Sequence, residues 1–374
     1  MKIARRRLVT ALGAAAGGLA VAGPAVANTN PQIRWRLASA FQPGFDFLFA
    51  AAQTFAQVLS DMTDGQFTVA VSAAGEIAPA LEALEAVAEG KADCAHTALA
   101  YSWNNNPAYI FGTGPPFGMN ARQQTSWLMD GGGGDLLDNL LAGRNLMALP
   151  LGDTGAQMAG WFRKEIRSPA DFKGLKVRIG GFAGKVFQAL GAVPVAAPKD
   201  EILAALSQGK LDAFEWVGPY DDEKFSDLKN GAREPIAKVA PYYYYPGWWK
   251  GDMQLHLVVA RDKFLGLPKS YQASLRAAAA LANGSVRAKY DAANPGAVKR
   301  LVIGGAQLRL FSQEVLETCY RTATQLYAQL AEQNPSFKTI AESYMAFRAD
   351  EYLWWQVAEY SFDNFMIRER RGKS

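Results

Sequence analysis

One phrase occurs twice in this chain, and it constrains the fold more than any other feature. The first copy runs from Ala83 to His96 and the second from Ile202 to Glu215, starting 119 residues later. Each is an apolar segment of helical period stopped by Gly-Lys (Gly90-Lys91, Gly209-Lys210). Each then continues through x-Asp (Asp93, Asp212) into a short strand. Glycine just past the last apolar turn ends a helix because it takes the left-handed conformation without steric cost. Two copies of one helix–strand unit predict two lobes of related design, and the alternation of helices with strands predicts α/β architecture. A pair of α/β lobes encloses a cleft suited to a small molecule. His96 and Glu215, three residues past each Asp, then leave their strands near that cleft.

The N-terminus indicates a compartment. Arg5-Arg6-Arg7-Leu8-Val9 precedes an apolar run to Ala22, and Ala25-Val26-Ala27 is a small-x-small cleavage site. This is a secretory leader, residues 1–27, and the paired arginines before Leu-Val fit the twin-arginine route. A membrane anchor is the weaker reading, because the Gly- and Ala-rich core is too short and too weakly apolar to span a bilayer. Cleavage after Ala27 leaves a periplasmic protein. The leader holds four of the 39 basic residues (Lys2, Arg5, Arg6, Arg7) and no acid, so the mature chain carries 35 of each sign. The formal charge of +4 belongs to the leader and is no argument for nucleic acid.

The mature chain is long enough for two domains with cores of their own. Cys94 and Cys319, the two cysteines, are not a disulfide framework, and Cys94 in its apolar strand reads as a buried thiol. Two histidines, His96 and His256, are a poor supply for zinc or a catalytic triad. No H-E-x-x-H, C-x-x-C, G-x-S-x-G or phosphate-loop pattern occurs. From Lys269 onward the chain reads as helical, punctuated by Pro295, Pro335 and Gly304-Gly305. Tyr344–Ile367 carries Phe347, Tyr352, Trp354, Trp355, Tyr360, Phe362 and Phe365. That is more apolar surface than a solvated terminal helix should show, so this segment is expected to pack on something.

Candidate site residues follow from position. Arg178 follows Val177 on the predicted strand Leu175–Ile179, just before the Gly180-Gly181 turn. Ligands of open α/β sheets gather beyond the carboxyl ends of strands, where a guanidinium can hold a carboxylate through two parallel hydrogen bonds. A surface ion pair is an equally good account of the position alone. Glu215, between Phe214 and Trp216, is a carboxylate in apolar company, which is costly unless a cation pairs with it. Arg178 and a metal ion are both candidate partners. Gln157 is a neutral oxygen donor just after a predicted strand, and an oxygen-only set such as Gln and Glu suits calcium or sodium rather than zinc. Tyr101 and Trp103, after the first repeat, can wall a ligand with the Tyr hydroxyl on a ligand oxygen, or serve as core aromatics. His96 reads as a hydrogen-bonded core residue.

The run Asp171-Phe172-Lys173-Gly174-Leu175-Lys176-Val177-Arg178 resembles a signature of the substrate-binding proteins of tripartite ATP-independent periplasmic (TRAP) transporters, DctP-type. The likeness covers essentially the whole mature chain. It is most specific at Gly160–Ile166, Arg178–Gly184, Glu215–Asp222, Tyr242–Trp249 and Met345–Asp350. Together these resemble the α-keto acid branch, with its pyruvate binders and lactate-binding relatives.

The resemblance implies a two-lobed periplasmic binding protein with a long C-terminal helical extension. Lobe I would take residues 33–154 plus about 250–290, and lobe II 155–249 plus about 291–343. The helix 344–374 would be a homodimerisation element. It also implies that Arg178 clamps the ligand carboxylate and that Tyr101 lines the cleft. A sodium or calcium ion would bridge ligand and protein through the Gln157 and Glu215 side chains and the Trp216 carbonyl. Such a receptor is not an enzyme and delivers a small 2-oxo or 2-hydroxy monocarboxylate to TRAP membrane subunits. Gln254-Leu255-His256 and Ser102-Trp103-Asn104 depart from the pattern, which keeps a sugar alcohol or (chloro)aromatic ligand as an alternative. An exported enzyme is the more distant one.

Overall fold

The computed structural model describes residues 30–229 and 232–371. The leader and its cleavage after Ala27 lie outside the described residues. Along the chain the strands are β1 (Ile33–Ser39), β2 (Phe67–Ser72), β3 (Cys94–Thr97), β4 (Leu146–Asp153), β5 (Gly160–Phe162), β6 (Lys176–Arg178), β7 (Val193–Val195), β8 (Ala213–Phe214), the hairpin β9 (Ser226–Lys229) and β10 (Ala232–Pro235), β11 (Tyr242–Tyr245), β12 (Gln254–Ala260) and β13 (Gln307–Leu310). They build two main sheets, ordered β2-β1-β3-β12-β4 and β7-β6-β8-β5-β11-β13.

The two sheets share one plan. In the first, β1 pairs parallel with β2 and β3, and β12 runs antiparallel to β3 and β4. In the second, β6 pairs parallel with β7 and β8, and β5 runs antiparallel to β8 and β11. Each sheet gains one strand after the chain has left it and returned: β12 in the first, and β13, parallel to β11, in the second. Helices cover the faces. Asp46–Met62 buries Leu48, Phe49, Ala51, Ala52, Phe55 and Leu59, a stripe of helical period, over the first sheet.

The repeated phrase has a physical meaning at this level. Helix Ala83–Ala88 ends at Gly90 with φ +73°, and helix Ile202–Ser207 ends at Gly209 with φ +70°. In both copies the next two amides converge on one carbonyl: Lys91 and Ala92 donate to Ala86 O, and Lys210 and Leu211 to Ala205 O. The Asp of each copy then docks on the neighbouring parallel strand. Asp93 donates its amide to Arg36 O (3.0 Å) and accepts the Arg36 amide on Oδ2 (2.6 Å). Asp212 does the same with Lys176, at 2.8 and 3.0 Å. Backbone and carboxylate together fix the register of β3 on β1 and of β8 on β6.

Two segments cross between the lobes, 154–159 and 246–253, and they run side by side. Thr154 N donates to Met253 O (3.3 Å), Gln157 N to Lys250 O (3.2 Å) and Ala159 N to Tyr244 O (2.9 Å). The approach is close enough that a Cβ on Gly247 would meet Gln157 O at 2.3 Å. A third connection is the helix Lys269–Ile303, which packs on Asp46–Met62 and β4 and also on the turn Pro219–Asp222.

The expected boundary near residue 290 thus falls inside one continuous helix. Pro295 does not end it. Proline forfeits one backbone hydrogen bond, and the buried flanks Tyr290, Ala297 and Leu301 hold the helix through that point. The C-terminal extension likewise begins at Pro335 rather than 344, and helix Pro335–Trp355 packs on lobe I helices Ala121–Met129 and Gly133–Ala142. Residues 335–343, expected in lobe II, accordingly rest on lobe I. Tyr344 is fully buried, accepting from the Met119 amide (2.8 Å) and donating to Gln124 Oε1 (3.0 Å). Cys94 and Cys319 are separate buried thiols. Among the described residues no helix is long and apolar enough to cross a membrane.

Asp93→Ala and Asp212→Ala should each lower unfolding free energy by about 1–3 kcal/mol, since each leaves a strand amide without its charged acceptor. Urea denaturation followed by circular dichroism measures this.

Candidate functional site

The second repeat places the polar centre of the cleft. Because β6 and β8 run parallel in register Arg178↔Phe214, the next residue, Glu215, donates its amide to Arg178 O (3.1 Å). Arg178 Nη1 returns a hydrogen bond to Glu215 O (3.0 Å) and reaches Glu215 Oε1 at 3.4 Å. The guanidinium carbon lies 4.7 Å from the Trp216 ring centroid. Both side chains of the ion pair are largely sheltered, 26% and 10% exposed. Arg178 Nε and Nη2 have no hydrogen-bond partner among the described residues, so the guanidinium keeps a planar donor edge for a carboxylate.

The crossing segments deliver Gln157. Met158 N donates to Val217 O (3.2 Å), which ties the Gln157 segment to the loop carrying Glu215 and Trp216. Gln157 Nε2 is engaged by Thr154 Oγ1 and Met253 Sδ, both at 3.3 Å. Gln157 Oε1 and Glu215 Oε2 are buried oxygens without a partner. Unpaired buried acceptors are costly, and an oxygen-only pair of this kind fits a hard cation.

Lobe I contributes Tyr101. Burial pushes its phenol up to about 12, with the Glu215 charge adding and the Arg178 charge opposing, so the hydroxyl lies within electrostatic reach of both. It is a neutral donor at any physiological pH. The structure thus places Tyr101 near the Arg178–Glu215–Trp216 cluster and ties the Gln157 segment to that cluster through Met158 and Val217. Trp103 packs on the core. His96 is a core residue: it is fully buried, its Nε2 is 2.9 Å from Leu151 O, and desolvation takes its ring down to about 4. His256 is depressed to about 3 by burial and by His96.

Three supports escaped the sequence reading. Phe45 stacks on Trp216 from the other lobe, with centroids 5.5 Å apart. Lys199 Nζ sits 4.9 Å from the Phe45 ring and 5.3 Å from Phe225, and desolvation lowers its pKa. Asp222, fully buried, accepts from Tyr243 Oη (2.7 Å), Trp161 Nε1 (3.1 Å) and Val217 N (3.3 Å), anchoring the Glu215–Val217 loop from behind. Its only trace in the sequence is an Asp pair beside an aromatic block. Phe45 and Lys199 carry no local signal, because their contacts lie across the cleft.

The model of the DctP family, described as bacterial extracellular solute-binding protein, family 7, matches residues 40–334. A "Monocarboxylate 2-oxoacid-binding periplasmic protein" from Nostoc sp. is 40% identical over 335 residues, 90% of this chain and 89% of that protein. A TRAP transporter solute-binding protein from Bordetella bronchiseptica superposes with a TM-score of 0.86 at 38% identity, over 92% of this chain and 100% of that one. Its crystal structure is a mixed-occupancy dimer with copurified calcium and picolinate in one active site and the other apo. A TRAP solute-binding protein from Pseudoalteromonas atlantica, with bound sodium and pyruvate, gives 0.81 at 32% identity, over 89% of this chain and 99% of that one.

Burial raises the Asp222 carboxyl to about 7 against an unfolded value of 3.8. A raised folded-state pKa contributes stability that is full below the unfolded value and is lost as pH rises through the folded one. Asp222→Asn should therefore remove a fall in stability between about pH 4 and 7, seen as the difference between wild-type and variant urea midpoints across that window.

Proposed function

Because the chain belongs to family 7 of the bacterial extracellular solute-binding proteins, we propose that it is a periplasmic receptor for a small 2-oxo monocarboxylate of pyruvate size, or its 2-hydroxy counterpart. It hands this ligand to the membrane subunits of a TRAP transporter. The observation that carries the reading is the sheltered Arg178–Glu215 pair beside two unpartnered oxygens, Glu215 Oε2 and Gln157 Oε1. The free edge of Arg178 takes the carboxylate in a two-bond fork. The Gln157 and Glu215 side chains and the Trp216 carbonyl hold a sodium or calcium ion. That ion would supply positive charge to complement the ligand's carboxylate. Tyr101 donates to a ligand oxygen from lobe I, so a bound ligand touches both lobes and favours their closure.

A binding role also fits the histidines. Both rings are buried with pKa values of about 4 and 3, so neither is a general base facing the cleft near neutrality. A sugar alcohol has no carboxylate for the Arg178 fork. Export follows from the leader, with cleavage after Ala27.

The C-terminal helix supports a homodimer. Beyond the buried Tyr344, it exposes Tyr352 (49%), Leu353 (66%), Trp354 (55%), Val357 (73%), Phe362 (63%) and Phe365 (57%) along one continuous extension. A patch this apolar on a secreted protein is suited to a second copy.

Arg178→Ala should weaken pyruvate binding by at least about a hundredfold, as loss of a buried charge-assisted fork implies. Isothermal titration calorimetry with calcium present tests it, and unchanged affinity would falsify the reading. Glu215→Gln should remove most of the dependence of pyruvate affinity on sodium or calcium, and pyruvate should tighten cation binding by the factor that the cation tightens pyruvate. Deleting Tyr352–Ser374 should turn a dimer into a monomer by analytical ultracentrifugation. Tyr344 must be kept, since it belongs to the lobe I core.

A further inference from the structure

The start of the first long helix makes a second set of contacts across the cleft, away from the ligand-holding residues. The turn through Gln42, Pro43 and Gly44 leads into Phe45, and the helix begins at Asp46. The helix itself is part of lobe I, packed on β2 and β4. Its first two residues face the opposite side. Asp46 Oδ2 accepts from Tyr220 Oη and from Lys224 Nζ, both at 3.0 Å. The Phe47 ring lies flat on Tyr220, with centroids 4.1 Å apart and planes 4° from parallel, and meets Tyr290 edge-on at 5.1 Å. Tyr220 and Lys224 follow β8 and belong to lobe II.

The lobe II half of this cluster is held in place. The Tyr220 amide donates to Asn294 Oδ1 (3.1 Å), and Lys224 Nζ lies 3.9 Å from the Tyr220 ring centroid and 3.6 Å from Asp221 Oδ1. Asp221 in turn accepts from Tyr290 Oη (2.7 Å). The Tyr220 ring is therefore presented ready for Phe47. The contacts themselves remain partly wet: the Asp46 and Lys224 side chains are 53% and 25% exposed. A half-solvated cluster of one carboxylate, one ammonium and two stacked rings can part without stranding a buried charge, which suits a contact made and broken at each closure.

We propose that Asp46 and Phe47 form a clasp on Tyr220 and Lys224 that sets the affinity of the receptor by stabilising its closed state. These are positioning residues. They act on the ligand only through closure: the open receptor takes the ligand up, and apparent affinity rises with the stability of the closed, liganded state over the open, liganded one. The clasp forms when the lobes meet, so its loss speeds ligand escape and leaves the encounter with the open cleft unchanged. The inference rests on the ligand reading given above, and the two are tested separately.

The probe is pyruvate with calcium present, and the protein is the full mature receptor, followed by stopped-flow fluorescence. Phe47→Ala should raise the dissociation rate about tenfold, from loss of a stacked aromatic pair and its packing. Asp46→Asn and Lys224→Met should each raise it about threefold, as expected of a part-exposed ion pair, and the effect should shrink in high salt. Association rates should stay within about twofold throughout, by the usual partition of affinity changes into escape. The double variant Asp46→Asn with Lys224→Met should be little worse than either single one, because the two act through one contact. Lys224→Met leaves the Asp46 helix intact but also removes the cation beside buried Asp221, so it is read together with Asp46→Asn, which leaves Asp221 paired, and with urea midpoints that separate clasp from folding. Unchanged dissociation in Phe47→Ala and Lys224→Met, or fully additive losses in the double variant, would overturn the clasp. If Arg178→Ala abolishes binding in the same experiment, the ligand reading survives that result. If Arg178→Ala binds normally, the ligand reading fails by itself.

Discussion

The pairing of Arg178 with Glu215 is the interaction on which the site depends. Glu215 is 8% exposed and flanked by Phe214 and Trp216, a setting hostile to a lone carboxylate. Arg178 answers one of its oxygens and its carbonyl, and the second oxygen is left without a partner. A half-answered buried charge is costly to build, on the order of a few kcal/mol if either partner is removed. Such an arrangement is sensible where something else completes it. Around it the protein has already assembled the remaining parts: an amide oxygen from Gln157, an aromatic platform in Trp216 and a neutral phenol in Tyr101.

The topology explains how these parts meet. The chain passes from the first sheet to the second through 154–159, returns through 246–253 to add β12 to the first, and crosses again by the helix Lys269–Ile303 to add β13 to the second. Gln157 therefore sits on the connection between lobes rather than on either one. Its backbone is bonded to the return segment at Lys250. Glycine at 247 permits the close passage of the two strands. The helix Lys269–Ile303 forms a third link, packed on both lobes at once. Two thin strands and one helix make a connection that can bend at few places, the arrangement of hinged receptors.

Closure then has two sources of free energy on this structure. One is the ligand, which in the proposed site bridges Tyr101 on lobe I to Arg178 and the cation-holding Glu215 on lobe II. The other is the protein itself, through Phe45 on Trp216 and through Asp46 and Phe47 on Tyr220 and Lys224. A receptor that must release its cargo needs the second to be weaker than the first, and part-exposed ion pairs and stacked rings are of that size. The buried carboxyl of Asp222 serves a different purpose, holding the Glu215–Val217 loop from behind through Tyr243 and Trp161.

The amino-acid sequence by itself determined the local grammar: two helix stops at Gly90 and Gly209, an Asp opening the strand after each at Asp93 and Asp212, and a strand carrying Arg178 before a glycine turn. These depend on near neighbours and on backbone geometry, so they are legible one segment at a time. From them follow the α/β class, the two related lobes and the placement of Arg178 and Glu215 near strand ends; that those two strands are neighbours is decided by the sheet. The aromatic C-terminal segment was legible as a surface in need of cover, but not its division into a buried half ending near Tyr344 and an exposed half beyond it. Pro295 misled for the same reason, since a proline's local cost is outweighed by burial that only the folded chain supplies. The tertiary structure alone decided which strands join which sheet, that Gln157 lies on a crossing segment, and that Phe45, Asp46 and Phe47 reach residues some 170 positions away. No periodicity encodes such contacts, because they arise where two separately folded surfaces meet.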